Sequence, residues 1–424
     1  MNLSRKEAAR RQRAKRRRKL IAANMLLIVA IGATVIWNLA TSDADPGAAV
    51  DEIAEGAAPG NANEGIGNGE NGGPVTDPGH NHHDDPGSGQ NGEMVPGKEQ
   101  SEDGAVRLAF AGDVYLGGNV GVLLEKNGYD YPYKHVKEIL QQADIAAANL
   151  ETSVTSLELE KPNLKTYEFR SDPKVLPAFR DAGFDVVSLA NNHSMDYGPE
   201  GLRDTMRHLR DHSIDYVGAG ENRAEAFKPV YFDKNGVKVA VLGFSRVIPI
   251  PEEWDWKAGE DRIGLADTYN HTYPVQVIEA AKKEADIVVV LVHWGNELDE
   301  EPDSAKQVDL GRRYIDAGAD LVIGSHPHVL QGIEYYKGRW IAYSLGNFIF
   351  TKSSNPATYE TGLLEAKCEK SGECSLQISP YRVDTPQPVP MDDEKGKVLL
   401  ERLNKLSIGA SVDERGNVTP QPSE

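Results

Sequence analysis

From Val106 onward the chain alternates short, continuous apolar runs with amphipathic stretches, and the two patterns predict different elements. VRLAFAG, DIAAANL, DVVSLAN, ADIVVVLVHWG, ADLVIGS and IAYSLGNFIF are runs with little polar interruption before their last residues. Such runs predict strands buried on both faces rather than strands with one face in water. Between them, apolar positions at helical spacing predict helices ending near 142 and covering 175–182, 200–211, 274–284 and 305–317. Further strands are expected at 231–232 and 237–244. Strands separated by helices of this length predict an α/β layered domain, placed here at 105–384. Beyond it, TPQPVPM and one helix near 394–406 read as a C-terminal helix and tail at 385–424.

The first hundred residues break this pattern. Residues 20–40, LIAANMLLIVAIGATVIWNLA, form one apolar run interrupted by Asn24, Thr34 and Asn38. About 20 such residues span the hydrocarbon core of a bilayer as a helix. Residues 1–19 hold ten Lys or Arg against one acid, Glu7. That bias predicts a cytoplasmic basic tail at 1–19, a transmembrane signal anchor at 20–40 and an extracellular remainder, with Trp37 as an interfacial anchor. A cleaved signal peptide is the rival reading. Its apolar stretch is shorter, about 7–15 residues, and no convincing small-x-small cleavage site stands here. Residues 41–104 are rich in Gly, Asn, Asp, Glu and Pro, with Lys98 their single basic residue, and predict a disordered acidic linker. As a flexible coil it would reach about 45 Å. His80, His82 and His83 within it suggest weak metal binding or, more simply, polar linker.

Charge sharpens this division. The formal net charge is −19 although the first 19 residues are strongly basic, so the remainder is far more acidic than the total suggests. A surface of that sign repels phosphate backbones and argues against nucleic acid as a partner. The two cysteines, Cys368 and Cys374, flank Ser371-Gly372 in GLLEAKCEKSGECSLQIS, which reads as two alternating strands and a turn. In an oxidising compartment they are expected to pair, with two free thiols as the alternative. The absence of nearby histidines at ligand spacing argues against a zinc site there.

Candidate chemistry collects at the C-terminal ends of the predicted strands, where open α/β sheets place their ligands. These ends read Gly112-Asp113, Asn149-Leu150-Glu151, Asn191-Asn192-His193 with Asp196, His293-Trp294-Gly295 with Glu297, Gly324-Ser325-His326-Pro327-His328, and Ser344-Leu345-Gly346-Asn347-Phe348. Each alone has a bland explanation: an Asp after a strand is usually a helix cap, and a lone His is usually hydrogen-bonded. His-x-His is more informative, because alternate residues of an extended segment point the same way. Carboxylates, an Asn and four imidazoles converging on equivalent ends suit Mn, Fe or Zn. Two such ions about 3.5–4 Å apart would clamp a phosphate or activate a water. Arg170, in YEFRSDP, is a candidate clamp for an anionic group, with a surface ion pair as its alternative. Trp254 and Trp256 fit a substrate groove, a lid or loop packing. Glu297, Asp299, Glu300 and Glu301 read as a solvated acidic face, with Glu297 as a candidate outer-shell partner.

The segments GDVYLGG, YDYPY, ANLET, AGFDVVSLANNHSMDYGPEGLRDT, VGAGEN, VHWGNE, GADLVIGSHPHVLQG and YSLGNF, in this order, resemble the CapA family of poly-gamma-glutamate capsule proteins across nearly all of 106–384. That resemblance implies a variant of the calcineurin-like metallophosphoesterase fold, two sheets in a sandwich flanked by helices. It implies Asp113 as ligand of a first ion, Glu151 near the place of a bridging Asp, and Asn192 as ligand of a second ion. His193 would approach phosphate or leaving group, and His293, His326 and His328 would complete the metal ligands. This chain departs from the pattern twice: Asp113-Val114-Tyr115 stands where Asp-x-His is expected, and Glu151 replaces Asp. One ion, two weakly held ions, or none are the resulting alternatives.

Three functions follow from the resemblance together with the topology. The first is an accessory role in making, exporting or anchoring poly-gamma-glutamate or a similar anionic cell-surface polymer, whose carboxylates would need the ions or Arg170 to offset the domain's own charge. The second is a metal-dependent phosphoesterase or amide hydrolase acting on a wall or capsule component, with His193 as general acid. The third is a non-catalytic scaffold that contacts subunits of a membrane synthase.

Overall fold

The computed structural model describes residues 104–421 except 159–164, 166, 250–254, 352 and 385. The basic tail, the membrane span expected at 20–40, the linker with its histidines and Trp254 lie outside the described residues. Among those described, no helix is long and apolar enough to cross a membrane.

Two sheets carry the domain. The first centres on Val106–Val114, with Ile145–Leu150, Val186–Ser188 and Asp215–Val217 added in parallel on one side. On the other side lie the antiparallel strands Glu360–Cys368 and Cys374–Asp384, and Asn347–Ile349 pairs in parallel with the end of Val106–Val114. The second sheet is built around Ile287–His293, flanked in parallel by Val237–Ser245 and Leu321–Ser325. The continuous apolar runs are explained by burial on both faces. In Ile287–His293, Ile287, Val289 and Leu291 face the first sheet across a shared core with Leu108, Phe110 and Ile145. The alternate residues Val288, Val290 and Val292 pack against Ile278, Ala281, Leu310 and Tyr314 of the helices Thr272–Glu284 and Asp309–Asp316. The outer face of the first sheet is covered in the same way by Leu124, Leu140, Phe179, Leu202 and Leu209 from helices. The expected sandwich of two sheets flanked by helices is the architecture observed.

The register places polar residues in two rows. In the first sheet Asp113 pairs with Asn149 and with Asn347, and Asn149 pairs with Ser188. In the second, His293 pairs with both Ser245 and Ser325. Apart from Asn347, which opens its strand, both rows are carboxyl ends of parallel strands. Gly112 permits the tightest approach: a Cβ there would lie 1.9 Å from the Gly346 carbonyl oxygen, which accepts the Asp113 N–H at 2.9 Å.

The expected C-terminal tail is corrected. Gln387–Pro390 pairs with Cys374–Asp384, and Ala410–Val412 and Asn417–Pro420 extend the first sheet further. Between them Asp393–Leu406 is a helix, capped by the Asp392 carboxylate accepting from Lys395 N at 2.9 Å. Its Leu399, Leu400 and Leu403 are buried in the core between the sheets. Each such leucine contributes about 1.5–3 kcal/mol on burial. The strands are short and two contain proline, so their pattern alone resembles loop. Cys368 and Cys374 are disulfide-bonded and directly opposite each other in the hairpin, as expected.

Candidate metal centre

The strand-end rows of the two sheets meet, and seven of the eight residues singled out by sequence converge there. Asp113, Glu151 and His293 are fully buried, and Asn192, His193 and His326 nearly so. His328 is about 15% exposed. Glu151 follows its strand directly, its N–H held by the Val114 carbonyl at 2.9 Å, so its carboxylate turns inward. One carboxylate oxygen, Oε2, accepts from Asn149 Nδ2 at 3.2 Å. The other, Oε1, has no hydrogen-bond donor. It is ringed by three imidazole nitrogens: His328 Nε2 at 3.7 Å, and His193 Nε2 and His293 Nε2 each at 4.0 Å.

Those separations exceed a hydrogen bond. They match two ligand atoms on one ion, which stand roughly 3–4 Å apart when each bond is about 2.0–2.2 Å. His326 Nδ1 is likewise buried without a partner. Two orphaned polar atoms in one buried cluster demand an explanation, and a divalent cation fits the donors. Glu151, His293 and His326 form one group whose ligand atoms all lie within 4.8 Å of one another; Asp113, Glu151 and His328 form a second. Oxygen and imidazole donors together suit a borderline ion of the Mn, Fe or Zn kind.

Neutral side chains fix these ligands. Asn149 Nδ2 donates to Asp113 Oδ1 at 2.8 Å and lies 3.3 Å from His293 Nδ1, while Asn191 Nδ2 donates to Asn149 Oδ1 at 3.1 Å. Ser325 Oγ is 3.0 Å from His293 Nδ1, and Asn347 Oδ1 is 2.9 Å from His328 Nδ1. Asn192 Oδ1 stands 2.8 Å from His293 Nε2. His326 and His328 have φ of 97° and 58°, unusual for residues with a Cβ, so the closing His-Pro-His element holds backbone strain at the site.

The buried charges depart from ordinary behaviour. Burial, reinforced by Asp113, pushes the Glu151 carboxyl well above the usual range. Burial lowers His293 and His326 well below normal, helped by neighbouring imidazoles. For His328 burial opposes the charge, but Glu151 and Asp113 outweigh it and raise the ring to about 10. A cation would reverse the shifts of Glu151 and His328, favouring the ionised carboxylate and the neutral imidazole, and would reinforce those of His293 and His326.

His193 sits at the rim of the cluster in a built setting. Its Nδ1 is 2.6 Å from Asp196 Oδ2, which leaves Nε2 facing Glu151. Its ring stacks on Phe169, with centroids 3.8 Å apart, and Phe169 stacks on Tyr115 at 4.2 Å. Tyr115, standing where a histidine ligand was expected, therefore belongs to an aromatic column. Asp196 also accepts from Phe169 N at 2.7 Å and pairs closely with Lys165. The Lys165 ammonium reaches the Asn192 carbonyl at 2.5 Å and lies 5.0 Å from the Trp256 ring. Burial lowers the Lys165 pKa, against the opposing pull of Asp196. Trp256 is thus fully buried packing.

Arg170 is not brought into the cluster. Its guanidinium donates to the Leu157 carbonyl at 2.8 Å, lies 3.9 Å from exposed Glu158 and covers the Tyr197 ring at 5.3 Å. It lines a separate cleft of about 330 Å³ with Tyr129, Thr155 and Asp172. The sequence reading missed the roles of Asn149, Asp196, Ser325 and Asn347, although all four stand in the strand-end runs. Lys165 carried no signal at all, being one lysine in an irregular segment.

A two-sheet α/β domain with a buried strand-end cluster of carboxylates and imidazoles is the class of protein these observations define. Residues 107–352 match the family described as bacterial capsule synthesis protein PGA_cap. The chain is 35% identical to the PGA biosynthesis protein CapA of Bacillus subtilis (strain 168) over 328 residues, 77% of this chain and 84% of the relative. It is 33% identical to the capsule biosynthesis protein CapA of Bacillus anthracis over 330 residues, 76% and 78% respectively. Among solved structures it is similar to the calcineurin-like phosphoesterase YfkN from Bacillus subtilis, at 16% identity and a TM-score of 0.38, covering 66% of this chain and 91% of that one. The chain belongs to the PGA_cap family, and the resemblance to CapA proteins is borne out.

Proposed function

We propose that this protein is a membrane-anchored, extracytoplasmic accessory in the synthesis, export or anchoring of poly-gamma-glutamate or a similar anionic polymer, acting through a divalent-metal site. Family membership supports the polymer. The basic tail and the apolar run at 20–40 support the anchor and a partnership with membrane-synthase subunits. The observation that carries the site is Glu151 Oε1, buried without a donor among three imidazole nitrogens.

When bound at Glu151, Asn192, His293 and His326, with Asp113 and His328 alongside, a divalent ion supplies a polarised substrate oxygen and a more acidic water. The protein's own residues supply the rest. Asp196 fixes the His193 ring through Nδ1, so Nε2 is the atom that gives or takes a proton on the cluster side. The Phe169 stack holds the ring plane, and Lys165 balances the charge of Asp196. Hydrolysis of a phosphoester or amide bond is the second reading, and this oriented histidine favours it. Arg170, in its neighbouring cleft, offers a cation to an anionic chain on approach.

The test is the metal content of the purified full chain beside a variant with Asp113, His293 and His326 changed to Ala, together with polymer output when each replaces the native gene. Near-stoichiometric Mn, Fe or Zn in the native protein alone, with polymer lost in the variant, is expected. Metal-free native protein after supplementation, or undiminished polymer from the variant, would overturn the proposal. His193→Ala separates the two readings: it abolishes turnover if the site is hydrolytic.

A further inference from the structure

Glu297 stands outside the donor sets described so far, in the loop that follows the strand ending at His293. It is the acid of the 297–301 run whose carboxylate comes within ligand distance of the histidines: Glu297, His326 and His328 form a group with all three ligand atoms within 4.8 Å of one another. Among the described residues no hydrogen bond or ion pair engages the Glu297 carboxylate, whereas its neighbour Asp299 is used by Asn296 at 3.0 Å. The inner wall of this group contains His326, 4% exposed, whose Nδ1 has no partner. The loop is tied to the histidine element by Leu298 N donating to the carbonyl of Pro327, the residue between the two histidines, at 2.9 Å.

We propose that Glu297 is a metal-ligating residue, which with His326 and His328 gives a divalent cation an outer, solvent-facing position beside the buried sets. This rests on the metal-site reading above. Two imidazoles and one carboxylate are a donor set that holds Mn, Fe or Zn while leaving coordination positions open to water or substrate oxygen. His326 also belongs to the buried group with Glu151 and His293, and His328 to that with Asp113 and Glu151. The outer position therefore shares its histidines with the interior ones. Removing Glu297 weakens the grip on an ion without touching any buried residue.

The experiment is a Mn2+ titration of the chelator-stripped full chain in detergent, with free Mn2+ counted by electron paramagnetic resonance. Wild type is compared with Glu297→Gln, Glu300→Gln and Glu301→Gln, each of which removes one negative charge from the same loop. The expected result is Mn2+ binding weakened about tenfold or more by Glu297→Gln, with the other two within twofold of wild type. Equal curves for all three variants overturn the assignment, whether all resemble wild type or all are weakened together, since the latter is long-range charge alone. A wild type that binds no Mn2+ sinks the metal-site reading as well, and the wild-type curve shows that by itself. Because Glu297 is exposed, circular dichroism of the variant is expected to match wild type.

Discussion

Two buried carboxylates, one before a strand of the second sheet and one after a strand of the first, show how burial for stability differs from burial for function. Asp320 precedes the strand Leu321–Ser325 and is 1% exposed. Its Oδ2 accepts from Lys282 Nζ at 2.7 Å and Val288 N at 2.8 Å, and Arg339 Nε lies 2.8 Å from Oδ1, an ion-pair contact away from the hydrogen-bonding angle. Two cations and a backbone N–H thus compensate one charge. Glu151, at the other end of its strand, has a single amide donor on Oε2 and only imidazoles at 3.7–4.0 Å around Oε1. Asp320 is complete within the protein. Glu151 keeps one oxygen without a hydrogen-bond donor.

The sharpest way to break this contrast is Asp320→Asn. It strips Lys282 and Arg339 of their shared partner and is expected to lower the free energy of unfolding by about 3 kcal/mol in urea titrations, leaving bound metal unchanged. Glu151→Gln should do the reverse. Metal affinity by equilibrium dialysis falls roughly a hundredfold or more, about 2.7 kcal/mol, while the metal-free protein loses less stability than with Asp320→Asn, because no cation stands within hydrogen-bonding distance of Glu151. Equal destabilisation by both substitutions would erase the distinction. Asn149→Ala leaves every proposed ligand in place but frees Asp113, Glu151 and His293 to move, and about a tenfold loss of metal affinity is expected.

The pH dependence of the metal-free protein offers a separate test. His328 is raised from 6.5 to about 10, so it binds its proton more tightly folded than unfolded. Its stabilisation is therefore fully present below about pH 6.5 and is lost as pH rises toward 10. Urea unfolding of chelator-stripped protein at pH 7 and pH 9.5 should show that decline, and His328→Gln should flatten it. An unaltered slope in the variant would assign the decline to other groups.

Much of this site was legible because parallel strands buried on both faces advertise themselves as apolar runs, and their last polar residues then fall in register. Asp113, Glu151, Asn192, His193, His293, His326 and His328 were all found in that way. Arg170 was not separable from them by sequence, since its direction depends on a two-residue strand pairing of Arg170–Ser171 with Ser153–Val154. Lys165 and Glu297 reach the site from irregular segments, where no period reports which way a side chain points. The C-terminal strands escaped notice because they are three or four residues long and two of them contain proline.

The contact between Asp113 and the backbone N–H of His326 joins residues 213 apart in sequence. No fragment made before His326 contains the whole donor set, and closing so long a loop is among the late, entropically demanding events of folding. An ion held there would then be acquired from whatever surroundings the chain occupies when it finishes folding. Because affinity among divalent ions follows a fixed chemical order and availability decides the rest, the compartment of folding, as much as the ligands themselves, would select which metal such a site takes.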